Sequence, residues 1–177
     1  MHKIDNSITQ ILALIQDKYS SNGVEILYLD NAHTQTTDLN NDIDRALSFV
    51  KLFNNAVFIS ECQGQGDRLA AQTLTRLSND GAEAQAVRLD IRALLDTSKD
   101  QAEFNFQGIM RYLQEAEGKI SLIITALEEI VEDDRILSIL NKAVGQKSIP
   151  ILGVTNMKGF RKLEERPCLS GLLQFIL

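Results

Sequence analysis

Two apolar patterns alternate along most of this chain, and their alternation limits the folds that it can adopt. Short apolar runs, of which 56–60 and 120–125 are the clearest, are typical of strands buried on both faces. Between them lie longer segments in which apolar residues recur every three or four positions, as on one face of a helix. Buried strands that alternate with helices indicate a mostly parallel central sheet with helices on both faces. We therefore expect a three-layer α/β fold.

The same patterns give approximate bounds for each element. Strands are expected at 24–29, 56–60, 86–90, 120–125, 149–155 and 172–177. Helices are expected at 7–19, 42–53, 66–77, 104–117, 133–144 and 157–165. The polar segment 31–41 has neither periodicity. It is the best candidate for a boundary between an N-terminal helix–strand extension with its connector (1–41) and an α/β domain (42–177).

Composition excludes several classes of function. The chain has 18 Lys and Arg against 24 Asp and Glu, a net charge of −6, whereas nonspecific nucleic-acid binding needs a basic surface. Its two His and two Cys, Cys62 and Cys168, have no CxxC or HxxxH spacing, so no metal site is expected. No apolar run approaches the ~20 residues of a membrane span, and the N-terminus lacks a signal-peptide pattern. We expect a cytoplasmic protein without nucleic-acid or membrane partners.

A glycine-rich turn follows the predicted strand 56–60 and opens the next helix. Gly64 and Gly66 stand in the strand–turn–helix arrangement that can hold phosphate on a helix N-terminus. A working phosphate loop also needs a Lys for the β- and γ-phosphates and a Ser or Thr for Mg²⁺. Asp67 and Arg68 follow the second glycine instead, and a carboxylate beside a triphosphate is repulsive. Arg68 could contact one phosphate, pair with Asp67 or point into solvent.

Three stretches around this turn form a recognisable series. Residues 43–59 combine a helix with a buried strand, 89–104 contain Leu-Asp-Ile-Arg-Ala-Leu-Leu, and 153–164 read Gly-Val-Thr-Asn-Met-Lys-Gly-Phe-Arg-Lys-Leu-Glu. In this order and spacing they resemble the large ATPase subdomain of Clp-type AAA+ chaperones, from about residue 42 to the C-terminus. The resemblance implies a P-loop/AAA+-like fold with Asn156 at the sensor position. The chain stops at Leu177, so no helical lid subdomain is expected.

The chain departs from that family's pattern at most of its catalytic positions. Asp67 and Arg68 stand where the family's phosphate loop ends in Lys-Thr. The family's second acidic motif ends a strand with Asp-Glu, but the equivalent strand here ends in Thr125-Ala126. Glu128 and Glu129 come two or three positions further on. Asp100 takes the place of a substrate-gripping aromatic residue, and 170–173 lack the family's adjacent arginines.

These departures predict a noncatalytic domain, a pseudo-ATPase. Losing the lysine, the metal carboxylate, the base and the arginine together leaves no route for phosphoryl transfer. The vestigial site would comprise Gly64, Gly66, Asp67, Arg68, Thr125, Ala126 and Asn156, with no catalytic residue, metal or cofactor. The expected role is to bind another protein, such as a Clp-type or other AAA+ ATPase, or further copies of the chain.

Two other functions stay open on the sequence. One is a residual nucleotide-binding switch, or a very weak ATPase, that uses the loop 63–68. The other is a structural subunit whose N-terminal helix and strand exchange between chains.

Three further candidates have simpler interpretations. His33 has no Cys or His companion at ligand spacing, so it is interpreted as a surface histidine. Cys62 has no histidine close in sequence to act as a base, and a small buried cysteine is expected rather than a nucleophile. The acidic residues at 128–134 could bind a cation or a basic partner. They are better explained as carboxylates that favour a helix N-terminus.

Overall fold

The computed structural model describes residues 6–29, 40–78 and 84–177. The strands are β1 (Val24–Leu29), β2 (Asn55–Ile59), β3 (Ala84–Asp90), β4 (Ser121–Thr125), β5 (Ile151–Thr155) and β6 (Phe175–Ile176). The helices are α1 (Asn6–Tyr19), α2 (Asn40–Phe53), α3 (Gln65–Leu77), α4 (Ile91–Leu95), α5 (Lys99–Glu115), α6 (Asp134–Gln146), α7 (Met157–Glu164) and α8 (Pro167–Ser170). Two 3₁₀ segments, Ser20–Asn22 and Leu127–Glu132, complete the elements of the described residues.

The six strands form one sheet in the order β1-β3-β4-β5-β2-β6. Each neighbouring pair is parallel except β1 with β3, which is antiparallel. Parallel strands need crossover connections, and the helices between them provide these. The prediction of a mostly parallel α/β sheet is therefore confirmed.

Successive side chains along the central strands point alternately into two separate hydrophobic cores. Val57 points into a core that includes α1, α5 and α6, whereas its neighbours Ala56 and Phe58 point into a core with α2 and α3. In β4, Ile123 likewise faces the second core and its neighbours face the first. Helices thus cover both faces of the sheet, and the three-layer prediction is confirmed. Among the described residues, no helical lid follows the sheet.

The N-terminal helix and strand belong to the same packed structure. Helix α1 buries Ile8, Ile11, Leu12, Ile15 and Tyr19 in the first core, and β1 pairs with β3 along its full length. Residues 31–39 of the predicted connector, with His33, lie outside the described residues. Residues 40 and 41 belong to α2, which begins at Asn40, two residues before the predicted start. No helix among the described residues has the length and hydropathy to cross a membrane.

The structure corrects the sequence prediction at a few element ends. Helix α5 begins at Lys99, five residues before the predicted start, because the Ser98 hydroxyl accepts the Gln101 N–H at 3.2 Å and caps the helix. The predicted strand 172–177 is reduced to β6. Before it, the Asn55 side chain donates to the Leu172 carbonyl at 3.1 Å and accepts the Gln174 N–H at 2.9 Å. These two bonds hold a turn where the apolar run predicts a strand.

Candidate functional site

A cleft of about 410 Å³ opens at the carboxyl ends of β2, β3, β4 and β5. Its walls are the loop between β2 and α3, the junction of β3 with α4, the segment 125–128 and the segment 154–156. In open α/β sheets, ligands bind beyond the carboxyl ends of the strands. The cleft is therefore the place in this fold where a bound small molecule is expected.

Six of the seven residues predicted for the vestigial site line this cleft, although three separate segments supply them: Gly64, Gly66, Asp67, Thr125, Ala126 and Asn156. The seventh, Arg68, is exposed and lies outside the lining. Its backbone N–H donates to the Gly64 carbonyl at 3.1 Å, the first bond of α3. The fold thus brings the predicted residues together, except for the arginine that could have contacted a phosphate.

The loop before α3 is a tight turn. The Gln65 N–H donates to the Cys62 carbonyl at 3.1 Å, and the Ser60 hydroxyl donates to Gln65 Oε1 at 3.0 Å. Gly64 has a φ of +77°, in the left-handed region that favours glycine. The expectation of a buried Cys62 is wrong, because the turn places its thiol on the surface.

Gly66 allows close packing between α3 and the sheet. A Cβ at this position would overlap Cγ1 of Val154 on β5. The packing of the helix on the strand is therefore sufficient to explain this glycine, without a ligand that approaches the backbone.

An ion pair stands at the first turn of α3. The Arg88 guanidinium, from β3, donates to Asp67 Oδ2 at 2.8 Å and lies 3.5 Å from Glu25 on β1. Asp67 Oδ1 is buried and has no hydrogen-bond partner among the described residues. Of the alternatives that the sequence left open for Arg68, pairing with Asp67 is not observed, and the Arg68 side chain is exposed. A more distant arginine holds the carboxylate.

The segment after β4 buries a carboxylate. Ala126 adopts a left-handed φ of +52° and turns the chain into the 3₁₀ segment. Glu128 is only 5% exposed, and its Oε2 accepts the Thr155 hydroxyl at 2.7 Å. A side chain at Gly159 would collide with both Glu128 and Thr155, so the lack of one at 159 makes room for this contact. The carboxylate is therefore fixed against β5 and α7.

Arg92 is the second cation of the cleft. It lies in α4, and its side chain is 63% exposed. Its guanidinium stands 3.6 Å from Glu128 and 3.7 Å from Glu129. Both cations that line the cleft are thus next to carboxylates.

Two side chains cap the N-terminus of α7. Asn156 Oδ1 accepts the Gly159 N–H at 2.7 Å, and Glu61, from the glycine loop, accepts the Met157 N–H at 2.7 Å. Capping satisfies N–H groups that have no partner within the helix. The predicted sensor residue therefore uses its carbonyl oxygen to start a helix.

The acidic residues at 128–134 include the residue that caps the N-terminus of α6. Asp133 accepts the N–H groups of Arg135 and Ile136 at 2.9 and 3.4 Å, as the helix N-terminus interpretation requires. The Arg135 side chain donates to Asp100 at 2.7 Å, and this hydrogen bond raises the pKa of the guanidinium. No group of three or more His, Cys, Asp or Glu side chains in the described ranges is arranged to hold a metal ion.

The cleft is also lined by four charged residues that the sequence did not predict for the site: Glu61, Arg88, Asp90 and Arg92. A signal existed for Arg88, a charged residue that interrupts the apolar run of β3. Nothing in the sequence spacing pairs it with Asp67, because the two residues lie on different elements.

Comparisons with known proteins identify the fold. No protein-family model matches the sequence. No curated protein matches it either. Among solved structures, the chain is similar to Hsp104 in the S. cerevisiae Hsp104–ADP complex, with a TM-score of 0.65, 20% identity, and coverage of 94% of this chain and 23% of that one. It is also similar to Hsp104 in a closed-state cryo-EM reconstruction with ATPγS and FITC-casein, with a TM-score of 0.64, 18% identity, and coverage of 78% and 26%.

The chain spans about a quarter of the length of these Hsp104 chains. At such identities the likeness concerns the fold alone. Together with the strand order and the two helical layers, it shows that this chain has an AAA+-like α/β fold.

Proposed function

We propose that this chain is a noncatalytic AAA+-like domain, a pseudo-ATPase, that works in the cytoplasm by binding another protein. The observation that carries the proposal is the ion pair between Asp67 and Arg88 at the first turn of α3. At this place a phosphate loop would present a free cation to the nucleotide. Here the Arg88 guanidinium, which lines the cleft, is already bound to the carboxylate of Asp67.

The charges of the cleft oppose a polyphosphate. Among the described residues, four carboxylates (Glu61, Asp67, Asp90 and Glu128) and two guanidinium groups (Arg88 and Arg92) line it. Two like charges 4 Å apart repel by about 4 kcal/mol at an effective dielectric constant of ~20. A phosphate beside Asp67 would have to take Arg88 away from its partner, which would expose this repulsion. The cleft thus offers a triphosphate little net attraction.

The remaining polar groups also have structural partners. Glu128 accepts a hydroxyl from Thr155, and Asn156 caps α7. Strand β4 ends at Thr125 and Ala126 follows it, and neither side chain has a carboxylate to hold a magnesium ion. These contacts support a site that serves stability instead of phosphoryl transfer.

Isothermal titration of the full chain with Mg-ATP tests this proposal. We expect no measurable heat of binding. Micromolar affinity accompanied by turnover would contradict it. The binding role needs a second experiment, copurification from the native cell followed by mass spectrometry. Under the proposal, a Clp-type or other AAA+ ATPase, or further copies of the chain, should be recovered.

A residual nucleotide-binding switch is the alternative. In its favour, the first N–H groups of a helix have no intrahelical partner, and those of Gly66 and Asp67 belong to the first turn of α3 beside the cleft. A ligand that binds only the folded state raises the melting temperature. If ATP, ADP or GTP raised it, and Arg88→Gln but not the control Arg68→Gln removed the effect, the switch would replace our proposal. If no nucleotide shifts the melting temperature, the switch is excluded.

A further inference from the structure

Strand β1 forms one edge of the sheet. It pairs with β3 on one side, and no strand in the described part of the chain pairs with its other side. Proteins commonly protect such an edge with lysine, proline, a bulge or a very short strand. β1 has six residues in continuous register, and its only charged side chain, Glu25, lies 3.5 Å from Arg88. Within the described residues, the edge therefore has no lysine, proline or bulge to oppose pairing with another strand.

The register with β3 shows which backbone groups point outward. The Asp90 N–H donates to the Gly23 carbonyl at 3.0 Å, and these two residues continue the β1–β3 register by one position. In an antiparallel pair, hydrogen-bonded and non-hydrogen-bonded positions alternate. Positions 25, 27 and 29 therefore bond to β3. The N–H and C=O groups of Val24, Ile26 and Tyr28 point to the open edge.

We propose that β1 pairs antiparallel with β1 of a second copy, about a two-fold axis that places Ile26 opposite Ile26. A two-fold axis perpendicular to the sheet leaves each face of the sheet on the same side in both copies. Residues that stand opposite each other across the axis therefore belong to the same face. In the register centred on Ile26, Val24 pairs with Tyr28, and all the outward backbone groups are satisfied. A register centred on 25 leaves Tyr28 without a partner in β1, and one centred on 27 leaves Val24 without one.

The side chains agree with this register. Tyr28 is 56% exposed in the single chain, and in the proposed pair it stands beside Val24 of the second copy. Cross-strand pairs of an aromatic and a β-branched residue are favourable. Glu25 faces Leu27 and not its own copy, so the pairing brings no like charges together. The backbone and the side chains thus select the same partner, a second copy of this strand.

The dimer gives the proposed binding role one definite partner. It rests on the edge of the sheet and not on the cleft, so the two proposals can fail independently. Loss of the dimer would leave the prediction of no ATP turnover intact. Measured turnover would likewise leave the dimer intact.

Light scattering over a concentration series tests the proposal on the full chain. We expect the mass to rise towards twice 19.8 kDa with concentration. Tyr28→Pro should keep the chain at the monomer mass, since it removes an outward N–H and proline is tolerated at an edge with its nitrogen facing out. Tyr28→Lys should raise the dissociation constant by about tenfold or more, because an edge lysine opposes pairing. Leu52→Lys adds the same charge at an exposed position of α2, which packs on β2 and β6 at the other edge of the sheet, and should leave the mass unchanged.

Hydrogen exchange adds a readout at the backbone. The amides of Val24, Ile26 and Tyr28 should be protected at concentrations that give the dimer and should exchange faster after dilution. A monomer mass at every concentration would overturn the proposal. So would a dimer that survives both Tyr28 variants, or protection of these amides in a monomer, which would mean that another segment covers the edge. If Tyr28→Pro fails to fold, the comparison of Tyr28→Lys with Leu52→Lys decides.

Discussion

At the scale of single residues, Gly64 and Gly66 have different structural roles in the loop before α3. Gly64 has a left-handed backbone, whereas Gly66 lets α3 approach Val154. In the sequence, the two glycines have the spacing of a phosphate loop. Glycine is favoured both where a helix packs closely on a strand and where a ligand closely approaches the backbone, so the sequence alone does not separate these causes. Only the position of β5 beside α3 distinguishes these two causes.

Packing at Gly66 makes a stability prediction. We expect Gly66→Ala to lower the free energy of unfolding by about 1–3 kcal/mol, because the added methyl group overpacks the contact with Val154. Gly145→Ala is the matched control. It lies in α6, where a Cβ would only touch Leu172 at 4.0 Å, so the change should stabilise the helix by up to ~1 kcal/mol. Urea unfolding of both variants measures the difference, and equal effects would contradict this role of Gly66.

At the scale of elements, the long periodic segments were predictable and the short ones were not. Buried strands such as β2 and β4 are unbroken apolar runs, and α2 has a clear apolar face. Helices α4 and α8 have five and four residues, too few for a periodic pattern. The start of α5 depends on a cap at Ser98, and the turn before β6 on the side chain of Asn55. These ends are fixed by individual hydrogen bonds, which periodicity does not report.

The cap of α7 separates a structural role of Asn156 from a nucleotide-sensing one. Asn156→Ala should lower the free energy of unfolding by about 1 kcal/mol, because the Gly159 N–H loses its acceptor. Asn156→Asp keeps an oxygen at that place and should retain most of the stability. Chemical denaturation of both variants makes the comparison. If alanine and aspartate were equally destabilising, the capping role would be wrong.

At the scale of the whole molecule, the cleft depends on contacts that only the fold creates. Asp67 and Arg88 come from α3 and β3, and Glu128 meets Thr155 of β5. The location of the cleft follows from the order of strands and turns, so the sequence could predict most of its lining. The ion pairs within it depend on which side chains meet across the sheet, and the sequence pattern has no information on this.

The packing of the N-terminal elements predicts the result of a deletion. Removal of residues 1–38 takes away α1 and β1, with buried side chains such as Leu12, Ile15 and Tyr19. Each fully buried apolar side chain contributes roughly 1.5–3 kcal/mol, and a domain is stable by only about 5–15 kcal/mol in total. We expect the truncated chain to lose its near-ultraviolet circular dichroism and its cooperative unfolding. A cooperatively folded product would show that the extension is a separable unit.

A noncatalytic cleft should not hydrolyse ATP, and a phosphate-release assay with the full chain and Mg-ATP measures this activity. Glu128→Gln is the informative variant, since Glu128 is a buried carboxylate that lines the cleft three positions after Thr125. We expect the full chain, the variant and a sample without protein to release phosphate at the same rate. Release by the full chain above the protein-free rate, abolished by Glu128→Gln, would contradict it.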